Sequence, residues 1–160
     1  MARAWTFGDN IDTDVLAPGA YMKYGIEEIA RHCMEAVRPE FAARVCPGDV
    51  VIGGRNFGMG SSREQAPQAL KQLGVAAVIA PSFGGIFYRN ALNLGLVALE
   101  CAEAARVADG AEVDIDALAG KLVDRSSGAT LSCTPLPAHL LEMVKAGGLM
   151  PFLAAKLRAR

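Results

Sequence analysis

The residues with the clearest capacity for chemistry lie in one glycine-rich segment, residues 56–66, which reads Asn-Phe-Gly-Met-Gly-Ser-Ser-Arg-Glu-Gln-Ala. Two adjacent hydroxyls, Ser61 and Ser62, and the guanidinium of Arg63 stand where a helix is predicted to begin. The free N–H groups and the positive dipole end of a helix start, together with Arg63, favour a bound carboxylate or phosphate. The segment therefore predicts an anion site with a serine hydroxyl beside it.

Two phosphate-binding loops are excluded by the residues around the glycines. A Walker A loop requires Lys and then Ser or Thr after its last glycine, but Gly60 is followed by Ser61 and Gly58 by a methionine. A dinucleotide-binding loop requires a third glycine where Arg63 stands. For the tetrad Ser-Ser-Arg-Glu alone, a plainer alternative remains open, in which a serine caps a helix and the arginine lies in solvent.

The segments around this loop alternate between strand and helix patterns. Short apolar runs bounded by glycine or proline predict buried strands, and apolar stripes with a period near 3.6 predict helices. Such alternation is typical of a mostly parallel sheet whose loops meet at one edge. The predicted strands are 50–52, 75–80 and 96–99, and the predicted helices between them are 63–73 and 84–94.

The flanks of this core are less regular. They contain one helix pattern before it, three short strand patterns with Asp, Gly and Ser turns after it, and two closing helices. The whole chain, residues 1–160, is thus predicted to form a single α/β domain with a mostly parallel central sheet, extra short strands and two C-terminal helices. The flanking elements are a helix over 26–37, strands over 112–115, 121–124 and 130–133, and helices over 137–146 and 149–157.

Composition and charge exclude several classes of protein. With 52% apolar and 21% charged residues, the chain is ordinary for a folded globular protein. A net charge of −1 argues against a nucleic-acid surface. No stretch approaches the roughly 18 apolar residues of a membrane span, and the N-terminus lacks the apolar core of a signal peptide. A cytoplasmic protein without a nucleic-acid or membrane partner is expected.

The cysteines and histidines predict no metal site on this chain. The four cysteines are far apart and form no Cys-x-x-Cys pair, so local ligation of a metal or an iron–sulfur cluster is not expected. In a cytoplasmic protein they are predicted to be buried or idle thiols. Neither His32 nor His139 lies in a metal-binding motif, and acid–base chemistry without imidazole is expected. The cysteines are Cys33, Cys46, Cys101 and Cys133.

Two further motifs accompany the glycine-rich segment. Residues 8–19 read Gly-Asp-Asn-Ile-Asp-Thr-Asp-Val-Leu-Ala-Pro-Gly, and residues 82–90 read Ser-Phe-Gly-Gly-Ile-Phe-Tyr-Arg-Asn. Taken singly, the first is a solvated polar turn and the aromatic residues of the second are core. In this order and spacing, with Asn-Leu-Gly-Leu at 93–96 and Gly-Gly-Leu-Met-Pro-Phe-Leu at 147–153, they resemble the aconitase superfamily, and within it the family of 3-isopropylmalate dehydratase small subunits. The resemblance covers essentially the whole chain.

The resemblance implies a stereospecific hydro-lyase that moves a hydroxyl between adjacent carbons through an alkene, here isomerising 2-isopropylmalate and 3-isopropylmalate in leucine biosynthesis. It implies a swivelling β/β/α domain that closes over substrate held by a large partner subunit. That partner carries a [4Fe–4S] cluster, and this chain binds no cofactor. By the same likeness Ser61 is the general base, Ser62 and Arg63 bind substrate carboxylate, and Asp14 belongs to the facing polar wall.

The physical chemistry of serine agrees with a site divided between two subunits. A serine hydroxyl ionises about as reluctantly as water, so its pKa lies far above neutral pH. Lowering that pKa by roughly eight units requires on the order of 11 kcal/mol, whereas a helix terminus supplies at most about 2 kcal/mol. Ser61 is therefore expected to act as a base only inside a closed, water-poor interface, and the chain alone is expected to be inactive.

The residues do not decide which malate derivative is the substrate. By the resemblance, a four-residue segment after the Pro-Gly turn reads the side group of the malate skeleton. An apolar pocket from Met22 and the two tyrosines suits an isopropyl group, whereas Lys23 suits the extra carboxylate of homoaconitate. Homoaconitate and 2,3-dimethylmalate remain alternatives, because a methyl difference is worth only about 1–3 kcal/mol. A non-catalytic anion-binding module also remains open, although Asp14 beside the loop residues argues against it. The segment consists of Tyr21, Met22, Lys23 and Tyr24.

Overall fold

The backbone forms one sheet flanked by helices in the computed structural model, which describes residues 2–159; Met1 and Arg160 lie outside the described residues. No helix within residues 2–159 is both long and apolar enough to cross a membrane. The strands are β1 (Ala2–Thr6), β2 (Val50–Ile52), β3 (Ala77–Ala80), β4 (Val97–Glu100), β5 (Glu112–Asp116), β6 (Lys121–Asp124) and β7 (Thr130–Ser132). The helices are α1 (Thr13–Leu16), α2 (Ile26–Arg31), α3 (Phe41–Arg44), α4 (Gln65–Gln72), α5 (Gly85–Asn93), α6 (Ala138–Lys145) and α7 (Leu149–Arg158), with 3-10 turns at Gly19–Tyr21 and Ala104–Arg106.

The strands lie in the order β4-β3-β2-β1-β5-β6-β7, so β1 is central. β1 to β4 pair in parallel, with Val51 between Trp5 and Val78. β5 pairs antiparallel with the other side of β1, and β6 and β7 continue antiparallel. Because parallel strands share one direction, the loops that follow β1, β2 and β3 all leave from the same edge of the sheet.

The parallel half of the sheet is buried on both faces. Val51 and Val78 belong to one core, and Val50 and Ile79 belong to a second core on the opposite face. Helices α2, α4 and α5 cover the first core, whereas the antiparallel strands, through residues such as Leu122, and helix α6 cover the second. The molecule therefore has three layers: helices α2, α4 and α5, then the parallel strands, then the antiparallel strands folded over the opposite face together with α6. This confirms the predicted α/β architecture with its extra short strands and two C-terminal helices.

Two local differences from the sequence expectations have clear causes. The sequence analysis assigns no strand to β1, where Arg3 and Thr6 interrupt the apolar pattern, although this strand joins the two halves of the sheet. The helix predicted over 26–37 ends at Arg31. The chain turns at that point, and Met34 takes a positive φ of 66°, which a helix cannot contain.

Candidate functional site

Three loops meet at the carboxyl edge of β1, β2 and β3. Backbone hydrogen bonds join them, since Gly58 N donates to Ile11 O at 2.6 Å and Gly84 N donates to Phe57 O at 2.9 Å. These loops carry the three motifs that the sequence analysis singles out. Residues that are widely separated along the chain therefore form one surface.

The glycine-rich loop rests on an aromatic cluster. Phe57 is fully buried and packs edge-on against Phe83 and Phe87, with ring centroids 6.2 Å and 5.5 Å away. Gly58 has a φ of 78°, and a Cβ at this position would collide with the ring of Phe87. The inner side of the loop is thus fixed by packing, and its outer side carries the serines.

Ser61 lies beside α1 and next to Thr13. Thr13 N donates to Met59 O at 2.9 Å, and a Cβ on Gly60, whose φ is 112°, would lie only 3.0 Å from Thr13 Oγ1. This close approach leaves the hydroxyl oxygens of Ser61 and Thr13 3.4 Å apart. Because Thr13 is buried, its hydroxyl is a fixed neighbour of Ser61. The sequence analysis does not single out Thr13, and the one signal for it is its place before Asp14 in the N-terminal motif.

Arg63 turns back toward α1 and pairs with Asp14. Its Nη1 atom lies 2.7 Å from Asp14 Oδ1 and 3.0 Å from Ala17 O. Gly19 N also donates to Asp14 Oδ1, at 3.0 Å. Both hydrogen bonds that the guanidinium donates within residues 2–159 come from Nη1, so its other nitrogens keep donor capacity for an anion.

The Arg63–Asp14 pair is polarised but open to water. The hydrogen bond from Arg63, followed by that from the Gly19 amide, holds the pKa of Asp14 below its usual value. The Asp14 side chain is 67% exposed, so water screens the pair in the isolated chain. A second surface that excluded water would strengthen the attraction of this site for an anion.

Helix α4 starts two residues later than the predicted helix over 63–73, so Ser61 and Ser62 precede it. Helix α4 begins at Gln65 after Glu64, and no side chain caps it. Arg63 N instead donates to Ser61 O at 2.9 Å and makes a tight turn before the helix. The loop is drawn onto α1 by its backbone and by the guanidinium, which keeps residues 61–63 out of the helix. The candidate anion site is therefore formed by side chains of this loop and α1 rather than by a helix N-terminus.

The structure brings three of the predicted site residues, Asp14, Ser61 and Arg63, together around α1. Ser62 is exposed beside them, and it makes none of the hydrogen bonds found between side chains of residues 2–159. The apolar side chain of Met59, 40% exposed, also lies at this surface. The arrangement can bind an anion next to a hydroxyl, but on one open face only.

The segment predicted to select the substrate follows Gly19, which lies against this ion pair. A Cβ added to Gly19 would lie 3.3 Å from Asp14 Oδ1 and 3.6 Å from Arg63 Nη2. Two of the four predicted residues are held against the core and two project into solvent. Tyr21 and Met22 are half-buried, and Lys23 and Tyr24 are exposed, with Lys23 Nζ 5.3 Å from the Tyr24 ring centre.

The thiols lie apart from this surface. Within residues 2–159, no three or more His, Cys, Asp or Glu side chains are grouped so as to hold a metal ion. Cys46 is exposed, whereas the other three cysteines are buried. Burial raises the pKa of Cys33, and burial together with the adjacent Cys101 thiol raises the pKa of Cys133 to about 12. The thiols of Cys33 and Cys133 are thus poor nucleophiles and poor metal ligands.

Comparisons with known proteins agree on one family. Residues 43–104 match the family described as the aconitase C-terminal domain. A 3-isopropylmalate dehydratase small subunit from Archaeoglobus fulgidus is 49% identical, over 100% of this chain and 99% of that protein. A methanogen homoaconitase small subunit from Methanothermobacter thermautotrophicus is 48% identical, over 92% of this chain and 86% of that protein. A crystal structure of 3-isopropylmalate dehydratase from Methanocaldococcus jannaschii superposes with a TM-score of 0.93 at 40% identity, covering 99% of this chain and 95% of that one.

Proposed function

Because this chain belongs to the family of 3-isopropylmalate dehydratase small subunits in the aconitase superfamily, we propose that it is the small subunit of a hydro-lyase acting on isopropylmalate. It interconverts 2-isopropylmalate and 3-isopropylmalate by dehydration and rehydration, as a step of leucine biosynthesis in the cytoplasm. One observation carries the proposal, the convergence of Ser61, Arg63 and Asp14 on one exposed surface beside α1. This surface offers an anion-binding group and a hydroxyl within a small area.

Arg63 and Ser62 bind a substrate carboxylate. Arg63 does so through the nitrogens that its bonds to Asp14 and Ala17 leave available. Asp14 holds the guanidinium in place by one oxygen, and the exposed Ser62 hydroxyl donates to the same carboxylate. Hydrogen bonds between charged partners are roughly twice as strong as neutral ones, so Arg63 contributes most of this binding.

Ser61 is the general base of the dehydration. It takes the proton from the carbon beside a carboxylate, the C–H electron pair becomes the second bond of the alkene, and hydroxide leaves the adjacent carbon with its bonding pair. Rehydration adds water in the opposite sense across the same two carbons. The Thr13 hydroxyl, 3.4 Å from Ser61 Oγ, can donate to the deprotonated oxygen and stabilise it.

A large subunit completes the site. A serine hydroxyl needs its pKa lowered by roughly eight units, on the order of 11 kcal/mol, and Ser61 is exposed to water in this chain. A partner that closes over Ser61 excludes water and adds fixed charges and donors. Its [4Fe–4S] cluster supplies Lewis-acid polarisation of the substrate hydroxyl. Closure also covers the exposed side chain of Met59.

The isopropyl side group is read by the segment that follows Gly19. Tyr21 and Met22 supply half-buried apolar surface two and three residues after Gly19, which lies against the Arg63–Asp14 pair. Homoaconitate is the second candidate, because the exposed ammonium of Lys23 suits an additional carboxylate and one relative is named a homoaconitase small subunit. 2,3-Dimethylmalate is a third candidate on side-group size alone.

The test is reconstitution of the complete enzyme. The chain is co-expressed with the large subunit from the same source, the complex is reconstituted with iron and sulfide, and turnover is measured on 3-isopropylmalate, homoaconitate and 2,3-dimethylmalate. We expect the highest kcat/KM on 3-isopropylmalate. The small subunit alone, treated identically, is the control and is expected to show no turnover.

Each outcome has a definite meaning. A preference for homoaconitate of tenfold or more, about 1.4 kcal/mol, would transfer the assignment to that substrate. Dehydratase activity from the small subunit alone would refute the shared site. A complex that forms but turns over none of the three substrates would refute the proposed activity.

A further inference from the structure

A cluster of four side chains lies behind the turn that begins at Gly19. His32 Nδ1 is 2.6 Å from Glu35 Oε1, and His32 Nε2 is 3.1 Å from Glu28 Oε1. The Tyr21 ring stacks on the His32 ring, with centroids 3.6 Å apart and planes 5° from parallel. The Tyr21 hydroxyl donates to Glu35 Oε2 at 3.2 Å. Every polar atom on the rings of Tyr21 and His32 therefore has a carboxylate partner.

The geometry favours the protonated form of His32. A carboxylate can only accept hydrogen bonds, so both ring nitrogens must carry a proton when both contacts are made. His32 is then an imidazolium, stacked on the electron-rich face of Tyr21. The hydrogen bond with Glu35 is the main cause that raises the pKa of His32. Arg31 adds a positive charge beside the cluster through its bond to Glu28.

Tyr21 connects this cluster to the candidate site through one short turn. Tyr21 is the last residue of the 3-10 turn Gly19–Tyr21, and Met22 N donates to Gly19 O at 3.3 Å. At the other end of the turn, Gly19 N donates to Asp14 Oδ1, the atom that binds Arg63. A shift of Tyr21 therefore moves the backbone donor that orients the Asp14 carboxylate.

We propose that His32 is a positioning residue for the anion site. Clamped between two carboxylates, it holds Tyr21, and Tyr21 holds the Gly19 turn against the Arg63–Asp14 pair. Its role is separate from acid–base catalysis, because it reaches the site only through Tyr21 and the turn. The inference rests on the proposed function in so far as Arg63 binds the substrate carboxylate.

A positioning role for His32 predicts a change in KM rather than in kcat. A residue that orients a carboxylate-binding group equally in ground state and transition state changes KM and leaves kcat nearly intact. A general acid or base would instead change kcat and its pH profile. The two roles are thus separated by measuring both parameters.

The experiment compares His32→Ala with His139→Ala in the complete enzyme, assayed on 3-isopropylmalate. His139 is exposed on α6 and serves as the matched control. We expect KM to rise about tenfold in His32→Ala with kcat changed less than about twofold, and neither to change in His139→Ala. Tyr21→Phe keeps the ring and loses only the hydroxyl, so a smaller rise in KM, about twofold to threefold, is expected.

A second measurement is independent of turnover. Amide hydrogen exchange is followed in the small subunit alone, for peptides that contain residues 18–22 and 61–64. His32→Ala should speed exchange in both peptides, because the Gly19 amide loses its fixed acceptor and Arg63 loses its fixed partner.

The inference is overturned if His32→Ala leaves both KM and exchange unchanged, or if it lowers kcat at constant KM. If the wild-type complex shows no activity on any of the three substrates, KM cannot be measured. Unchanged exchange in the folded His32→Ala variant then overturns the inference. In that event the proposed substrate fails by the wild-type assay, and the positioning role is judged by exchange alone.

Discussion

Two of the arginine–aspartate pairs that join distant parts of this chain, Arg38–Asp109 and Arg63–Asp14, differ in geometry and in exposure. Arg38 meets Asp109 through two hydrogen bonds of 2.8 Å each, and its guanidinium carbon lies 4.5 Å from the centre of the Trp5 ring. Arg63 meets Asp14 through a single hydrogen bond of 2.7 Å, and the Asp14 side chain is the more exposed of the two carboxylates. The first pair is closed and the second is open.

The difference shows how one ion pair is saturated within the fold, whereas another keeps donors available for the proposed ligand. Arg38 donates to Asp109 through both Nη atoms and to Glu40 through Nε, and it covers an aromatic face, so little donor capacity remains for a ligand. Among the described residues, Arg63 donates to Asp14 through Nη1 alone, and its Nε and Nη2 atoms remain available for a ligand. We therefore expect substitutions at the closed pair to change stability, and substitutions near the open pair to change kinetics.

The largest expected effect is that of Ser61→Ala in the assembled enzyme. Loss of a general base lowers kcat by about 10²–10⁴-fold. Ser61 is exposed, so the unfolding midpoint of the small subunit should stay within about 1 °C of the wild type. Turnover and a thermal melt of the same preparations measure both, with Ser132→Ala on β7 as the matched control. Near wild-type kcat in Ser61→Ala would show that another group is the base.

Arg63→Gln should weaken substrate binding. It removes the charge that we propose binds the carboxylate, so kcat/KM is expected to fall by about 100-fold, roughly 2.7 kcal/mol. Arg55→Gln removes a comparable exposed pair, with Asp9, and should change kcat/KM less than about twofold. Steady-state assays of both variants decide the matter, and equal effects would mean that Arg63 acts only as surface charge.

Arg38→Gln should act on stability alone. It breaks the charge-assisted hydrogen bonds to Asp109 and Glu40 and the stack on Trp5, and a loss of about 1–2 kcal/mol in the free energy of unfolding is expected. Arg125→Gln, which breaks a more exposed pair with Asp114, should cost less than about 0.5 kcal/mol. Urea unfolding compares the two variants. If Arg38→Gln raised KM as strongly as Arg63→Gln, the contrast between the closed and open pairs would be lost.

The smallest expected effect is a dependence of stability on pH. The hydrogen bond from Arg38 is the main cause that lowers the pKa of Asp109 to about 2 from an ordinary 3.8. Because the folded pKa is the lower one, this stabilisation is complete above about pH 4 and is lost as the pH falls through about 2. The half-exposed carboxylate limits it to about 1 kcal/mol. Asp109→Asn should remove this part of the pH dependence, so the difference in unfolding free energy from the wild type should shrink between pH 5 and pH 3.

The strands of the parallel half could be predicted because their signal is local. The runs at 50–52, 75–80 and 96–99 are apolar and bounded by turn residues, and the structure confirms all three within one or two residues. The central strand β1 could not be predicted in this way. Its place is set by pairing with β2 and β5, which are distant in sequence.

The sequence predicts which residues form the candidate site, but it does not predict how they are arranged in space. Family resemblance identified Ser61, Arg63 and Asp14, and the structure brings these three together. The helix begins two residues after its predicted start, because backbone contacts of the loop with α1 hold residues 61–63 outside it. The stack of Tyr21 on His32 was missed for the same reason, since it depends on a turn between residues eleven positions apart.

The aromatic cluster of Phe57, Phe83 and Phe87 has a consequence for assembly. These rings anchor the loop that carries the serines, so its conformational freedom is already lost when the chain folds. Association with a large subunit then joins surfaces that are already shaped, and little of the interaction free energy is consumed in ordering the loop. Preorganisation of this kind suits a subunit that is expected to be inactive on its own and that we propose contributes one half of a shared reaction centre.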